Sequence, residues 1–143
     1  MEQLAPPGPF YQPGTLSGNP VATACGLATL REISKPGFFD ALSARTRSLV
    51  AGLQQVANEA GMAFCADSVG GMFGFFLLDA LPANYSQVMK TDSPRFNRLF
   101  HGLLDHGVYI APALYEAGFV SAAHTQEDIA ETVAIARDVF RTL

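Results

Sequence analysis

A short polar segment near the start of the chain combines the residue types that bind anions. Residues 14–20 read Gly-Thr-Leu-Ser-Gly-Asn-Pro, with two glycines, two hydroxyl side chains and the start of a helix. Backbone amides at a helix N-terminus, with hydroxyl donors beside them, favour a phosphate group. A simple capped turn explains the same residues equally well. No Gly-Lys-Ser/Thr follows, so the segment is not a P-loop.

Glu116 is the second candidate for chemistry. It is the single carboxylate of the apolar loop 111–119. Desolvation in such an apolar setting would raise the pKa of the carboxyl group, which is typical of functional sites. An exposed loop acid is the alternative, and it is the more common case for glutamate.

The remaining polar groups offer little catalytic signal. His101, His106 and His124 do not stand at metal-ligand spacing, so we expect no metal site. Cys25 and Cys65 lie among small apolar residues, which predicts two reduced core thiols and a reducing compartment.

The two lysines are predicted to be surface charges. A lysine that forms a Schiff base must be desolvated or close to another cation to lose its proton. Lys35 and Lys90 both lie in polar, turn-like segments that offer neither condition.

The amino-acid composition limits the classes of protein to which the chain can belong. The 143 residues are 49% hydrophobic and 15% charged, with a net charge of -4, which suits one globular domain and gives no footprint for nucleic acid. No apolar run is long enough for a membrane span, and residues 1–13 lack the features of a signal peptide. We therefore expect a cytoplasmic protein.

The order of elements predicts an α+β domain. Four prolines in residues 4–13 exclude a helix and predict an extended arm without a core of its own. Apolar periodicity and turn residues then predict four helices and up to four short strands. The helices are expected at 19–34, 42–60, 93–106 and 125–141, and the strands at 62–67, 72–78, 108–110 and 119–122. The expected fold is a small, mostly antiparallel sheet with helices on one face.

Two stretches resemble one enzyme family. Residues 14–20 are similar to a signature of the glutamate-1-semialdehyde aminomutases, and related class-III aminotransferases have a similar Gly-Thr-x-x-Gly-Asn-Pro segment. Residues 107–112, 115–121 and 123–125 agree with a second stretch of the family, in the right order. One position departs, since the family usually has Ser where this chain has Ala113.

The resemblance implies a pyridoxal-phosphate (PLP) enzyme of the type-I aminotransferase fold, acting in tetrapyrrole synthesis as a homodimer. It implies that residues 1–18 are an arm and cofactor-phosphate loop, and that 19–143 are the C-terminal α+β domain. Gly14, Thr15 and Ser17 would contact the phosphate of the partner subunit's PLP, and Glu116 would lie at the active site. The cofactor-binding lysine and the large PLP-binding domain would lie upstream, so this chain would be a fragment, inactive alone.

Two other interpretations remain at this stage. The chain could be part of another class-III aminotransferase with a different amine donor. It could also be a free-standing binding or interaction domain that uses the helix start at 14–20 for an anion.

Overall fold

The computed structural model describes residues 1–143 and divides them into two compact units, Met1–Phe38 and Phe39–Leu143. The functional boundary expected after residue 18 is not tested by this division and stays a prediction. None of the helices is long and apolar enough to cross a membrane.

The elements of the chain are five helices and three strands. They are α1 (Pro20–Ile33), α2 (Phe38–Glu59), β1 (Cys65–Val69), β2 (Met72–Phe76), α3 (Tyr85–Val88), α4 (Ser93–Asp105), β3 (Gly118–Phe119) and α5 (Gln126–Phe140).

The first ten residues form a closed turn, so the prediction of an extended arm is wrong for them. The Ala5 N–H donates to the Phe10 carbonyl at 2.9 Å, and the Phe10 N–H donates to the Gln3 carbonyl at 3.0 Å. Prolines exclude a helix here, as expected, but the remaining amides still find partners within the segment.

Helix α1 is exposed along its length except at its last residue, Ile33, which is half-buried. None of its residues is buried, and Val21, Leu27 and Leu30 are all exposed. Cys25 is exposed as well, so the prediction that it is a core thiol is wrong, whereas Cys65 is buried as expected. Small apolar neighbours along the sequence do not bury a side chain unless another element covers their helical face.

The second unit contains a three-stranded antiparallel sheet in the order β1-β2-β3. Strands β1 and β2 form the predicted hairpin, with Val69 opposite Met72 at its end. Strand β3 is short and pairs Gly118 with Phe73 and Phe119 with Met72. The expected α+β arrangement is therefore confirmed.

The core of this unit lies between the sheet and helices α2, α4 and α5. Phe73 and Phe75 point from β2 toward the helices and pack against the buried cluster. The fully buried part of that cluster includes Val56 of α2, Leu99 of α4 and Ala136 of α5. In α2 and α4, buried residues recur at three and four positions, which is the periodicity that predicted these helices. In α5, Ile129, Ala136 and Phe140 lie on one face, at spacings of seven and four residues.

The strand predicted at 108–110 does not form. The Val108 N–H donates to the Leu103 carbonyl at 2.9 Å and finishes helix α4, with Gly107 at φ +87° providing the left-handed turn. Tyr109 is exposed. The Val108 N–H, which a β-strand would use to pair with a neighbouring strand, is thus already bonded at the end of α4.

Candidate functional site

The loop 14–18 presents unused hydrogen-bond donors. The Ser17 N–H is bonded to the Gly14 carbonyl at 2.9 Å, which closes the loop. The amides of Thr15, Leu16 and Gly18 and the hydroxyls of Thr15 and Ser17 have no partner within the chain. All of these residues are exposed. The loop can therefore donate to an anion from several directions.

The start of helix α1 is capped by its own side chain. Asn19 Oδ1 accepts from the Val21 N–H at 3.0 Å and from the Ala22 N–H at 3.1 Å. The Thr23 N–H donates to the Asn19 carbonyl, and Pro20 has no N–H. The amides of the helix start are thus occupied, in agreement with the capped-turn alternative. Any anion here must use the donors of the loop.

The donor set of this loop fits a phosphate group. A Cβ atom added at Gly14 would lie 2.0 Å from Ser17 Oγ, so only glycine allows the serine hydroxyl to fold over the loop. Hydroxyl and amide donors around such a turn suit phosphate oxygens. The residues therefore match what the phosphate of a PLP-type cofactor requires.

Glu116 lies at a small hollow in the second unit. The hollow has a volume of about 220 Å³ and is lined by apolar and aromatic residues, among them Phe73, Phe96 and Tyr109. Glu116 is the only charged residue of this lining. Its side chain is exposed rather than desolvated, in agreement with the alternative of a loop acid. The carboxylate is nevertheless the one ionic partner for a ligand entering this hollow.

The position that departs from the family lines the same hollow. Ala113 belongs to its wall, and the Glu116 N–H donates to the Ala113 carbonyl at 3.4 Å. A methyl group therefore stands where a serine would offer a hydroxyl close to Glu116.

A hydrogen-bonded turn follows β3, and sequence analysis did not assign it a role. The Ser121 N–H donates to His124 Nδ1 at 2.9 Å, and the Ser121 hydroxyl lies 3.3 Å from the same nitrogen. From α2, Arg45 Nη1 reaches the carbonyls of Ser121 at 3.4 Å and Ala122 at 3.3 Å. The spacing Ser-x-x-His is the only signal of this turn in the sequence, and it does not reveal the contact with Arg45.

The lysines and the titratable clusters add no further site. Lys35 is exposed and paired with Glu32, and Lys90 is exposed, which confirms that both are surface charges. No group of three or more His, Cys, Asp or Glu side chains is arranged to hold a metal ion. Burial raises the pKa of the Cys65 thiol, so it is not poised as a nucleophile.

Solved structures similar to this chain are transaminases and aminomutases. An ω-transaminase from Sphaerobacter thermophilus matches with a TM-score of 0.82 and 26% identity, over 94% of this chain and 31% of its own. A β-phenylalanine aminotransferase from Variovorax paradoxus matches with a TM-score of 0.78 and 25% identity, over 92% and 30%. A glutamate-1-semialdehyde aminomutase from Pseudomonas aeruginosa PAO1, in complex with PMP, shares the fold with a TM-score of 0.75 and 20% identity, over 92% and 31%. The chain therefore has the fold of the matching third of transaminase-type enzymes.

Curated relatives specify the family within that class. Glutamate-1-semialdehyde 2,1-aminomutases from Acidovorax ebreus (strain TPSY) and Verminephrobacter eiseniae (strain EF01-2) are each 75% identical over all 143 residues. The corresponding enzyme of Leptothrix cholodnii is 68% identical over 96% of the chain. The chain spans about a third of the length of these relatives. No family model matches the sequence.

Over its whole length, the chain is therefore similar to about a third of the length of the glutamate-1-semialdehyde 2,1-aminomutases.

Proposed function

We propose that this chain is part of an enzyme that converts glutamate-1-semialdehyde to 5-aminolevulinate in tetrapyrrole synthesis. The observation that carries the proposal is the 75% identity to the Acidovorax ebreus aminomutase over the whole of the chain. The reaction moves an amino group between two adjacent carbons of one molecule, and it needs no separate amine donor.

The proposed cofactor is pyridoxal phosphate, held in part by the loop 14–18. When bound, it carries the amino group and withdraws electrons from the substrate carbon. Gly14 provides the room, and the hydroxyls of Thr15 and Ser17 provide donors for the phosphate oxygens. The phosphate would be that of the cofactor in the partner subunit of a homodimer. The fit of the donor set and the free amides of the loop support this assignment.

Glu116 is the proposed active-site carboxylate of this chain. Its role would be to orient the substrate through a hydrogen bond or an ion pair with an amino group. Two features support the role, namely its position as the only charged group of the hollow and the exposure of its side chain to an incoming ligand.

The remaining two thirds of the family length would supply the large PLP-binding domain. Exposed apolar surface on both units supports a partner of this kind. In the first unit, Val21 and Leu30 of α1 are 70% and 57% exposed. In the second unit, Val69 and Phe119 of the sheet are 73% and 69% exposed. Such surface is costly in water and is typical of an interface.

The chain alone is proposed to be inactive, because neither of its lysines lies in a setting suited to holding the cofactor. Lys35 is exposed and paired with Glu32, and Lys90 is exposed. The complete enzyme is proposed to act in the cytoplasm.

A chimera tests the proposed activity. The 143 residues replace the matching third of the Acidovorax ebreus aminomutase, and the formation of 5-aminolevulinate from glutamate-1-semialdehyde is measured without any added amine donor. Activity comparable to the parent enzyme supports the proposal. A folded chimera that is inactive, or that reacts only when an external amine donor is added, overturns it in favour of an ordinary transaminase.

The phosphate-binding role of the loop has its own test. In the chimera, Thr15→Val removes a hydroxyl donor while keeping the shape, and we expect about a tenfold weaker binding of the cofactor, as for the loss of one hydrogen bond to a charged group. Thr29→Val is the matched control, since the Thr29 hydroxyl bonds to the Cys25 carbonyl inside α1. Equal cofactor affinities for the two variants would rule out the role of Thr15.

A further inference from the structure

Strand β3 is too short to hold its own position. It contributes two residue pairs to the sheet, Phe73 with Gly118 and Met72 with Phe119. Strands of this length gain little stability from pairing alone. On its N-terminal side, the loop that carries Glu116 is exposed, and the Glu116 amide makes a long backbone bond of 3.4 Å to the Ala113 carbonyl. The restraint on β3 must therefore come mainly from the residues that follow it.

Those residues are fixed at several points within five positions. The Val120 N–H donates to the Gly71 carbonyl at 2.8 Å, and Val120 is buried. The next residue, Ser121, donates its N–H to His124 Nδ1 at 2.9 Å, and its carbonyl accepts from the His124 N–H at 3.3 Å. The Ser121 hydroxyl in turn accepts from the Ala123 N–H at 3.2 Å.

Arg45 attaches the same turn to helix α2. Its Nη1 donates to the Ser121 and Ala122 carbonyls at 3.4 and 3.3 Å. Arg45 holds the carbonyls of the turn, and the His124 ring holds an amide, so the two residues together restrain both kinds of backbone group. Arg45 Nε is buried without a partner. Because arginine is always charged, the contacts of Nη1 place a permanent cation directly beside the turn.

The hydrogen-bond pattern specifies the protonation state of His124. A backbone N–H can only donate, so His124 Nδ1 must accept, and the ring must be neutral with its proton on Nε2. A protonated ring would direct a second N–H at the Ser121 amide and add a charge close to Arg45. The other titratable residues that line the same cavity as His124 are His106, Tyr109, Asp128 and Glu131.

We infer that His124, acting with Arg45, is a positioning residue that fixes β3 and the loop carrying Glu116. The neutral imidazole accepts a hydrogen bond from the Ser121 amide. The turn thereby restrains the C-terminal end of the segment that runs from Glu116 through β3. This role rests on the proposed function in so far as Glu116 serves the active site.

The first experiment uses the 143-residue chain and does not depend on activity. Nitrogen chemical shifts of the His124 ring should show a neutral Nε2–H form that accepts at Nδ1. His124→Ala should increase the hydrogen exchange of the Ser121 amide about tenfold, as for the loss of one hydrogen bond, and shift the amide signals of Gly118 and Phe119. His124→Asn places an amide oxygen where Nδ1 stood and should retain the protection. Equal protection of the Ser121 amide in the wild type and in His124→Ala would overturn the inference.

The second experiment uses the active chimera. We expect His124→Ala to lower kcat/KM about tenfold, with His124→Asn restoring most of the loss, because one oriented hydrogen bond corresponds to a factor of this size. His101→Asn is the control, since His101 is exposed and makes no hydrogen bond through its ring.

The outcomes separate the two proposals. An unsubstituted chimera that is inactive overturns the proposed function, and the role of His124 in positioning Glu116 is overturned with it. An active chimera in which His124→Ala and His124→Asn lose activity equally, or neither loses any, overturns the inference alone. Arg45→Met gives a second variant for the same clamp and should reproduce the loss seen with His124→Ala.

Discussion

The close contact between helices α4 and α5 gives the sharpest prediction about stability. Gly102 of α4 faces Val139 of α5, and a Cβ atom added at Gly102 would lie 2.7 Å from Val139 Cγ1 and 3.3 Å from Cγ2. Val139 is buried, and a β-branched side chain in a helix has one strongly preferred rotamer. The substitution Gly102→Ala therefore forces the two helices apart.

The magnitude follows from two opposing terms. Overpacking a well-filled core costs about 2 kcal/mol, and replacing glycine by alanine inside a helix returns about 1 kcal/mol. We expect Gly102→Ala to lower the free energy of unfolding by about 1 kcal/mol, which is the difference between these terms. The measurement is urea unfolding of the chain, followed by far-ultraviolet circular dichroism and analysed by linear extrapolation.

A double-mutant cycle isolates the contact. Val139→Ala alone should cost about 2 kcal/mol through lost burial. In the double variant, the methyl group introduced by Gly102→Ala fills space that the valine side chain has left. The overpacking term then disappears, and a coupling of about 2 kcal/mol should be measured. If Gly102→Ala instead stabilises the chain by about 1 kcal/mol and shows no coupling to Val139, the reasoning from the close contact is refuted.

Three further predictions concern the cap of α5 and the thiols. Thr125→Ala removes the capping box and should cost about 1 kcal/mol in urea unfolding. The backbone and side-chain hydrogen bonds from Thr125 hold the pKa of Asp128 below its ordinary value of 3.8. The stability that Asp128 contributes should therefore be present above pH 3.8 and lost as the pH falls below it. A difference in stability between the wild type and Asp128→Asn that persisted at lower pH would contradict this prediction. Cys25 should be alkylated rapidly in the folded chain, whereas Cys65, whose pKa is raised by burial, should react only on unfolding, as mass spectrometry after a timed iodoacetamide pulse would reveal.

Local patterns in the sequence predicted much of the secondary structure. The stripe of Leu49, Leu53 and Val56 in α2 is buried, as its spacing indicated, because a helix repeats its contacts every three to four residues whatever it packs against. Thr125 caps α5 for the same local reason. The loop 14–18 was found from residue types alone, since its donors belong to neighbouring residues.

Structural features that depend on residues far apart in the chain were not predicted from the sequence. The strand expected at 108–110 is absent because the Val108 amide serves the end of α4, although the residue types favour a strand. Cys25 is exposed because no other element covers α1, and sequence gives no information on such coverage. The clamp between Arg45 and the turn at Ser121 joins residues 76 positions apart, which no motif reveals.

The sequence by itself determined the resemblance to glutamate-1-semialdehyde aminomutases and the helices with strong periodicity, because each of these is encoded in neighbouring residues or in overall identity. It also predicts an anion-binding role for the loop 14–18, which stays a prediction. Tertiary structure alone decided that Glu116 stands as the one charge beside an apolar hollow. It also decided that His124 accepts the Ser121 amide. Hydrogen-bond partners and exposure depend on which groups the folded chain brings together, and the spacing of residues along the chain does not contain that information.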